Sequence, residues 1–271
     1  MLVAWSLLLL LTTPVDPSAR ARDFPSAHIF PSAAAALQPL LAEKPRVISF
    51  GEYHQLEKTA QFASALRRFT DAMLPALRAA GATHLVVETW VTTGSCGEAE
   101  HKAVADVAKT TERPAATEGE LVRLLRRAKE DGIKPGILEV DCKDYQALTQ
   151  GKDGVDYERL LRLTRDQLQI QIRAALAQEG AGLVVSYGGA LHNDVGPRPE
   201  LANYAFGDAF VTMLAGRYIE VDLCVPEFIE RDQNLRRQPW YRAYRRAYRA
   251  GATILIQRGP HSFVLVFPRA G

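Results

Sequence analysis

The chain has 271 residues, of which 47% are hydrophobic and 24% are charged, and its formal net charge is +2. A chain of this length and composition can bury a sizeable core and is not of the disordered class. The nearly balanced charge gives no indication of a nucleic-acid partner or of attachment to an anionic membrane.

The first 21 residues are typical of a secretory signal peptide. An apolar run that is too short to span a bilayer comfortably, MLVAWSLLLLLTT, is followed by the small-residue site Ala19, Arg20 and Ala21. We therefore expect cleavage near Ala21, export to the periplasm or the extracellular space, and one α/β domain over residues 22–271. No later stretch reaches transmembrane length, so no stable membrane insertion is expected after cleavage.

Strand-like runs recur along the rest of the chain, after a lead-in rich in proline and alanine. Strands are predicted at residues 46–50, 84–90, 136–141, 182–189 and 217–223, and two more on either side of Gly259 and Pro260. The intervening segments have helical spacing. This alternation predicts an α/β fold with a mostly parallel sheet, helices on both faces and a C-terminal antiparallel hairpin.

Three helices are predicted from apolar residues that recur at steps of three and four. They cover residues 56–73, 117–132 and 160–180. The first should kink or end at Pro75, which lacks an amide hydrogen. The second should begin with a capping box of Thr117 and Glu120 and stop at Gly132. The polar insertion over residues 92–117 receives no structural assignment.

The chain has three cysteines, Cys96, Cys142 and Cys224. An odd number leaves at least one thiol unpaired within the chain. Cys142 and Cys224 lie in strand-like runs and are predicted to be buried structural thiols. Their spacing does not indicate a zinc site.

Polar side chains follow the predicted strands at their carboxyl ends, where parallel sheets bind ligands. The first strand leads into Glu52, Tyr53 and His54, the second into Glu88, and the fourth into Tyr187, His192 and Asn193. Two imidazoles and several carboxylates from separate strands are therefore expected to meet at one rim of the sheet.

Both histidines follow a glycine by three residues, Gly51 in one case and Gly189 in the other. Glycine allows the backbone to approach a ligand closely. A helix starting after each histidine would disfavour the imidazolium form through its dipole and favour an ionised carboxylate. Imidazole and carboxylate ligands suit zinc, manganese, cobalt or iron. The predicted ligands of such a divalent metal are Glu52, His54, Glu88 and His192.

Simpler interpretations remain open for these residues. A helix-capping or ion-paired carboxylate is the alternative interpretation of Glu88, and pairing with an arginine is the alternative interpretation of Asp141. Glu139 is the weakest site candidate, because strand alternation turns it away from one of its neighbours. The remaining histidines, His28, His84, His101 and His261, are predicted to be surface or structural residues.

Three motifs in this order, VISFGEYH, LVVETW and VVSYGGALHND, resemble the superfamily that joins erythromycin esterases, ChaN-type haem-binding proteins and TIKI/TraB proteins. The resemblance covers residues 46–223, but only these three motifs are specific. It implies an α/β fold with the site at the strand ends. Glu52 and His54 match the first motif, Glu88 the middle carboxylate and His192 the second histidine.

The resemblance implies more than one activity, because erythromycin esterases hydrolyse a lactone, TIKI proteins are metal-dependent proteases and ChaN-type proteins bind haem. The leading hypothesis is a metal-assisted hydrolase of an ester, lactone or peptide bond, acting on a small molecule or a peptide. Asn193 or Tyr187 would stabilise the oxyanion. The alternative is a non-catalytic protein that binds haem or iron near Tyr53, His54, Tyr187 or His192.

A third hypothesis is a binding module that has lost its chemistry, suggested by WYRAYRRAYRA at residues 240–250. Tyrosines alternating with arginines can bind nucleic acid or anionic partners. The simpler interpretation is that Tyr241, Tyr244 and Tyr248 pack on the sheet while the arginines face water. We therefore expect no nucleic-acid partner.

Overall fold

The structure is a computed structural model that describes residues 25–151 and 154–269. The predicted signal peptide lies outside the described residues. Eight strands form one sheet: β1 (Ser26–Phe30), β2 (Val47–Glu52), β3 (Ala82–Val87), β4 (Lys134–Ile137), β5 (Leu183–Gly189), β6 (Tyr218–Cys224), β7 (Thr253–Gly259) and β8 (Ser262–Val266). Their order is β1-β7-β8-β6-β2-β5-β3-β4. Only β7 runs against its neighbours, which confirms the mostly parallel sheet and the C-terminal hairpin.

The described residues also form eleven α-helices. These are α1 (Ala33–Ala42), α2 (Ala65–Ala72), α3 (Leu74–Ala79), α4 (Glu98–Thr111), α5 (Ala116–Glu130), α6 (Cys142–Leu148), α7 (Tyr157–Leu176), α8 (Gly207–Met213), α9 (Pro226–Arg231), α10 (Gln233–Arg236) and α11 (Tyr241–Ala247). Short 3-10 turns lie at Glu57–Thr59 and Ala202–Tyr204. Strands β1 and β4 lie at the two edges of the sheet.

Helices cover both faces of the sheet. On one face Phe50 of β2 packs in a core with residues of α1, α2, α3, α5 and α11. On the other face Val47 of the same strand packs with Leu168 and Ile172 of α7 and with Phe210 of α8. Every residue of β2 is buried, as expected for a central strand between two helical layers.

The helix predicted at residues 56–73 begins later than expected. The Gln55 amide donates to the carbonyls of Thr59 and Phe62 at 2.8 and 2.9 Å, which holds this segment as a loop. Helix α2 starts after Ser64, whose hydroxyl accepts from Arg67 N at 2.9 Å. The helix does end before Pro75, which lies in the first turn of α3, where a missing amide hydrogen is harmless.

The prediction that Thr117 and Glu120 form a capping box is wrong. Helix α5 begins one residue before Thr117 and has no side-chain cap. Glu120 accepts instead from the Ser64 hydroxyl at 2.5 Å, a contact between α2 and α5 that local sequence does not show. The helix ends at Glu130, followed by Gly132 with a φ of 73°, so its predicted end is confirmed.

The strand predicted at residues 136–141 continues beyond the end of the strand in the structure. Strand β4 ends at Ile137, and Asp141 accepts from Lys143 N and Asp144 N as the N-cap of α6. This capping role differs from the arginine pairing that was the alternative interpretation of Asp141. Glu139 is exposed and lies outside the strand. The segment rich in proline and alanine before β2, which received no structural assignment from sequence, contains β1 and α1.

Cys142 was predicted to be a buried structural thiol in a strand, and this prediction is wrong. It is the first residue of α6 and forms a disulfide with Cys96, which precedes α4. Cys224 at the end of β6 is buried and free, as expected. The disulfide joins the segment that precedes α4 to the start of α6.

The tyrosine stripe of α11 packs as the simpler interpretation predicts. Tyr244 is buried, and Tyr241 and Tyr248 are half-buried against the same core, while Arg242 and Arg245 are exposed. No helix within residues 25–151 and 154–269 has both the length and the apolar character needed to cross a membrane.

Candidate functional site

The carboxyl ends of β2, β5 and β3 lie side by side and open into a cavity of about 410 Å³. Five of the seven predicted site residues line it: Glu52, Tyr53, His54, Glu88 and His192. Its other walls come from Trp90 and from α4, α5 and α7. The polar insertion at residues 92–117, left unassigned from sequence, therefore forms one wall of the cavity.

Glu52 is held by two donors at the end of β2. The Tyr187 hydroxyl donates to Oε2 at 2.5 Å, and His54 Nδ1 lies 2.9 Å from Oε1. Burial alone would raise the pKa of Glu52. The hydrogen bond from His54, the charge that His54 carries when it is protonated, the charge of Arg113 and the Tyr187 bond together lower it. A carboxylate only accepts, so Nδ1 of His54 carries the hydrogen.

Glu88 follows β3 and faces the same space. Its Oε2 accepts from Gly189 N at 2.5 Å, and its Oε1 lies 4.0 Å from His54 Nε2. Burial raises the pKa of Glu88, but the positive charge that His192 and His54 carry when they are protonated, together with that of Arg113, outweighs burial and lowers it. Two ionised carboxylates thus face one cavity.

His192 is oriented by the backbone. Its Nδ1 lies 2.9 Å from the Tyr204 carbonyl oxygen, which only accepts, so the hydrogen is on Nδ1 and the lone pair is on Nε2. The expected helix dipole is absent at both histidines, because α2 begins only at Ala65 and α8 only at Gly207. Hydrogen-bond acceptors, and not helix ends, set the orientation of the two rings.

Gly188 and Gly189 of β5 and Gly51 of β2 lie where neighbouring atoms leave no room for a Cβ atom. A Cβ atom on Gly189 would lie 2.9 Å from His54 Nε2, and one on Gly188 would lie 2.6 Å from Glu88 Oε2. A Cβ atom on Gly51 would lie 2.5 Å from Asn193 Oδ1. Protein atoms therefore crowd Gly51 and Gly189, and the close approach of a ligand to them stays a prediction.

Asn193 and Tyr187 do not line the cavity. The Asn193 amide donates to the Ser49 carbonyl at 3.1 Å beneath β2, and the Tyr187 hydroxyl is engaged by Glu52. Neither therefore offers a donor to a substrate oxygen in this arrangement. Tyr53 lies at the rim, where burial and then the Asp222 charge raise its pKa.

Arg113 was not found by sequence reasoning. It lies between α4 and α5, and its Nη2 is 2.9 Å from Nδ1 and 2.5 Å from Nε2 of His54. No motif marks it, because it reaches the site from the unassigned insertion. Its charge lowers the pKa of both Glu52 and Glu88.

The predicted metal does not fit the residues as they are placed. Within the described part of the chain no group of three or more histidine, cysteine, aspartate or glutamate side chains is arranged to hold a metal. The Arg113 guanidinium lies against His54 Nε2, the nitrogen that would bind the metal. Tyr53 and Tyr187 also fit haem iron poorly, because ligands bind deprotonated and the pKa of each tyrosine is raised by burial.

A second cluster of buried charge adjoins the site on β6. Glu220 and Asp222 both pair with Arg258 of β7, the latter at 2.9 Å, and Asp194 lies 4.0 Å from the same guanidinium. Burial raises the pKa of all three carboxyl groups, that of Asp222 to about 7, against the opposing charge of Arg258. The strand was predicted, but nothing in the sequence pairs these residues.

The other histidines lie outside the cavity. His28 and His101 are exposed, and His84 is buried at the start of β3, with its two ring nitrogens 2.9 Å from Thr83 and Gln178. These positions agree with the surface or structural roles predicted for them.

No protein-family model and no curated protein matches the sequence. Among solved structures, the type III effector HopBA1 is 15% identical with a TM-score of 0.45, over 94% of this chain and 100% of that chain. A succinoglycan biosynthesis protein is 12% identical with a TM-score of 0.41, over 72% of this chain and 71% of that one. ChaN of Campylobacter jejuni, which binds haem cofacially, is 10% identical with a TM-score of 0.38, over 74% of this chain and 91% of that one. Because all three scores are below 0.5, we draw no function from them.

Proposed function

We propose that the protein hydrolyses an ester, lactone or peptide bond in the cavity at the ends of β2, β5 and β3, with His192 as general base. The orientation of the two imidazoles supports this most strongly. Each Nδ1 faces an acceptor, the Glu52 carboxylate for His54 and the Tyr204 carbonyl for His192. Each lone pair is therefore on Nε2, as in the oriented histidine of serine hydrolases.

His192 is better placed than His54 to be the base. The Arg113 guanidinium lies 2.5 Å from Nε2 of His54 and obstructs it. Nε2 of His192 would take a proton from water as the water oxygen attacks the carbonyl carbon. The nearby Glu88 carboxylate would stabilise the imidazolium, and His192 would return the proton to the leaving oxygen or nitrogen as its bond to carbon breaks.

The cavity favours a small substrate with an apolar part. Its volume of about 410 Å³ is within the range of about 300–1,000 Å³ that is usual for small-molecule sites. Trp90, Leu121, Leu160 and Leu161 form apolar walls opposite the charged residues. A small ester, a lactone or one residue of a peptide would fit between them.

We also propose that the protein is exported after cleavage near Ala21. The apolar leader supports this, as does the disulfide between Cys96 and Cys142, since disulfides persist in oxidising compartments. N-terminal sequencing of protein from the culture medium or the periplasm should begin at or near Arg22. Protein that keeps residues 1–21 and stays in the cytosol would contradict export.

The catalytic proposal is tested with His192→Asn. Asparagine keeps a nitrogen donor near the position of Nδ1, so the bond to Tyr204 can persist, but it removes Nε2. On a panel of esters, lactones and peptides we expect kcat to fall by about 10²–10⁴-fold, with an unchanged near-UV circular dichroism spectrum.

His84→Asn is the matched control, because His84 is about as buried as His192, with relative exposures of 6% and 4%, and lies outside the cavity. Its activity should equal that of the wild type. Equal losses in both variants, or a wild type that hydrolyses nothing on the panel, would contradict the proposal. A haemin absorption band that disappears in His192→Asn would support the haem-binding alternative instead.

A further inference from the structure

We propose that Arg113 supplies the positive charge of this site in the place where a divalent metal would stand, and that its guanidinium stabilises the oxyanion formed when water attacks the substrate. The second part of this inference rests on the proposed hydrolytic function. The first part concerns only the residues of the site and can be tested without a substrate.

The position of Arg113 is the first support. Its Nη2 lies 2.5 Å from Nε2 of His54, while that nitrogen is 4.0 Å from Oε1 of Glu88. A zinc ion bound to His54 would stand about 2.0–2.1 Å from the same nitrogen. The same Nη2 is also 2.9 Å from Nδ1, so the guanidinium lies beside the ring and off the axis of the Nε2 lone pair. A zinc ion on that axis would stand within about 4 Å of the guanidinium, and two cations at this distance repel each other.

The charge balance is the second support. Glu52, Glu88 and Arg113 all line the cavity. Among the described residues that line this cavity, Arg113 is the one lysine or arginine. It therefore supplies a permanent positive charge to the cavity that both carboxylates line, as a metal ion does in a hydrolase with carboxylate ligands.

A spare donor is the third support. Nε of Arg113 is buried and makes no hydrogen bond, and a buried donor without an acceptor is unfavourable. The other donors considered for an oxyanion are engaged elsewhere, Tyr187 by Glu52 and Asn193 by the Ser49 carbonyl. A planar guanidinium held by the protein can present an N–H group to a developing oxyanion without reorganising.

The test compares the wild type with Arg113→Met, which keeps most of the side-chain length but removes the charge. Arg126→Met, on the exposed side of α5, is the matched control. Each protein is titrated with zinc chloride by calorimetry, and kcat and KM are measured on the best ester or peptide of the panel. Arg113→Met is then assayed again with added guanidinium chloride at a non-denaturing concentration.

We expect the wild type and the control to take up no stoichiometric zinc. Arg113→Met should lose about 10²–10³-fold in kcat, the usual effect of removing one oxyanion donor, with KM changed by less than about threefold. Added guanidinium should restore part of kcat, which it would not do if Arg113 only stabilised the fold. Tight binding of one zinc ion by the wild type, or an unchanged kcat in Arg113→Met, would overturn the inference.

The two proposals fail in different ways. Wild-type protein that hydrolyses no panel compound overturns the hydrolytic function and the oxyanion role, whereas the zinc titration still decides whether Arg113 holds the place of a metal. Wild-type protein that both hydrolyses a substrate and binds one zinc ion overturns the inference about Arg113 and leaves the hydrolytic function standing.

Discussion

The Tyr187 hydroxyl donates to Oε2 of Glu52 at 2.5 Å, and the same carboxylate accepts from His54 through its other oxygen. A residue in the middle of β5 thus fixes the orientation of a histidine that follows β2. Because Tyr187 is 2% exposed, it acts from beneath the cavity, and its contribution to the site passes through Glu52.

Tyr187→Phe should destabilise the protein by about 1.5–3 kcal/mol, since a buried carboxylate loses a hydrogen bond. The measurement is urea unfolding at pH 7, with Tyr241→Phe of α11 as the control. The pKa of Glu52 is lowered in the folded protein, so its stabilising contribution is present above the ordinary value of 4.5 and is lost as the pH falls through the folded value. The difference between the two proteins should therefore shrink in acid. A difference that grows in acid would contradict this role.

Gly189→Ala should reduce activity by about 10²-fold, as small displacements of catalytic groups do. The new Cβ would lie 2.9 Å from His54 Nε2, so the imidazole has to move away from Arg113 and Glu88. Gly119→Ala is the matched control, because a Cβ there meets nothing within 4 Å and should stabilise α5 by about 0.5–1 kcal/mol. Steady-state kinetics and thermal unfolding of both variants check this. Full activity in Gly189→Ala would show that the position of His54 does not matter.

The disulfide gives a prediction about thiols. Unfolded but unreduced protein should react with one equivalent of a thiol reagent, Cys224, and reduced protein with three, because Cys96 and Cys142 are paired. Cys96→Ser should lower stability by about 2–4 kcal/mol, the usual effect of opening such a loop, measured by urea unfolding without reductant. Three reactive thiols in unreduced protein would show that the pair does not form.

The buried charges around Arg258 predict a second pH dependence. The pKa of Asp222 is raised from 3.8 to about 7, by burial first and also by the Asp194 charge, against the pull of Arg258. Because this pKa is raised, the contribution of Asp222 to the stability of the folded protein is fully present below pH 3.8 and is lost as the pH rises through about 7. Asp222→Asn, which resembles the protonated form, should gain stability relative to the wild type as the pH rises from 4 to 8. Urea unfolding of both proteins across this pH range measures the difference in their free energies of unfolding. An advantage of Asp222→Asn that decreases as the pH rises would contradict the raised pKa of Asp222.

Much of the fold could be predicted because its signals are local. The central strands are short runs rich in apolar and β-branched residues, and α7 shows a regular apolar stripe, so β2, β5, β6 and α7 lie close to their predicted bounds. Errors arose where a distant contact overrides local preference. Glu120 pairs with Ser64 of another helix and not with Thr117, and Gln55 holds a loop where apolar spacing predicted helix.

The site was predicted in part for the same reason. Glu52, His54, Glu88 and His192 follow strands whose ends must meet in a parallel sheet, so topology alone brings them together. Arg113 reaches the cavity from an insertion without periodicity, and its contact with His54 spans 59 residues of sequence. Sequence could show the candidate ligands but not the cation placed among them, and within the described residues no group of three is arranged to hold a metal. The metal therefore stays a prediction.

The most direct test of the account is the hydrolysis rate of wild-type protein whose metal content has been reduced below a few per cent by chelation and verified by mass spectrometry, with His192→Asn assayed beside it. The account predicts an unchanged wild-type rate and a loss of about 10²–10⁴-fold in the variant. A wild-type rate that disappears on chelation and returns with zinc or manganese, or a variant as active as the wild type, would contradict it.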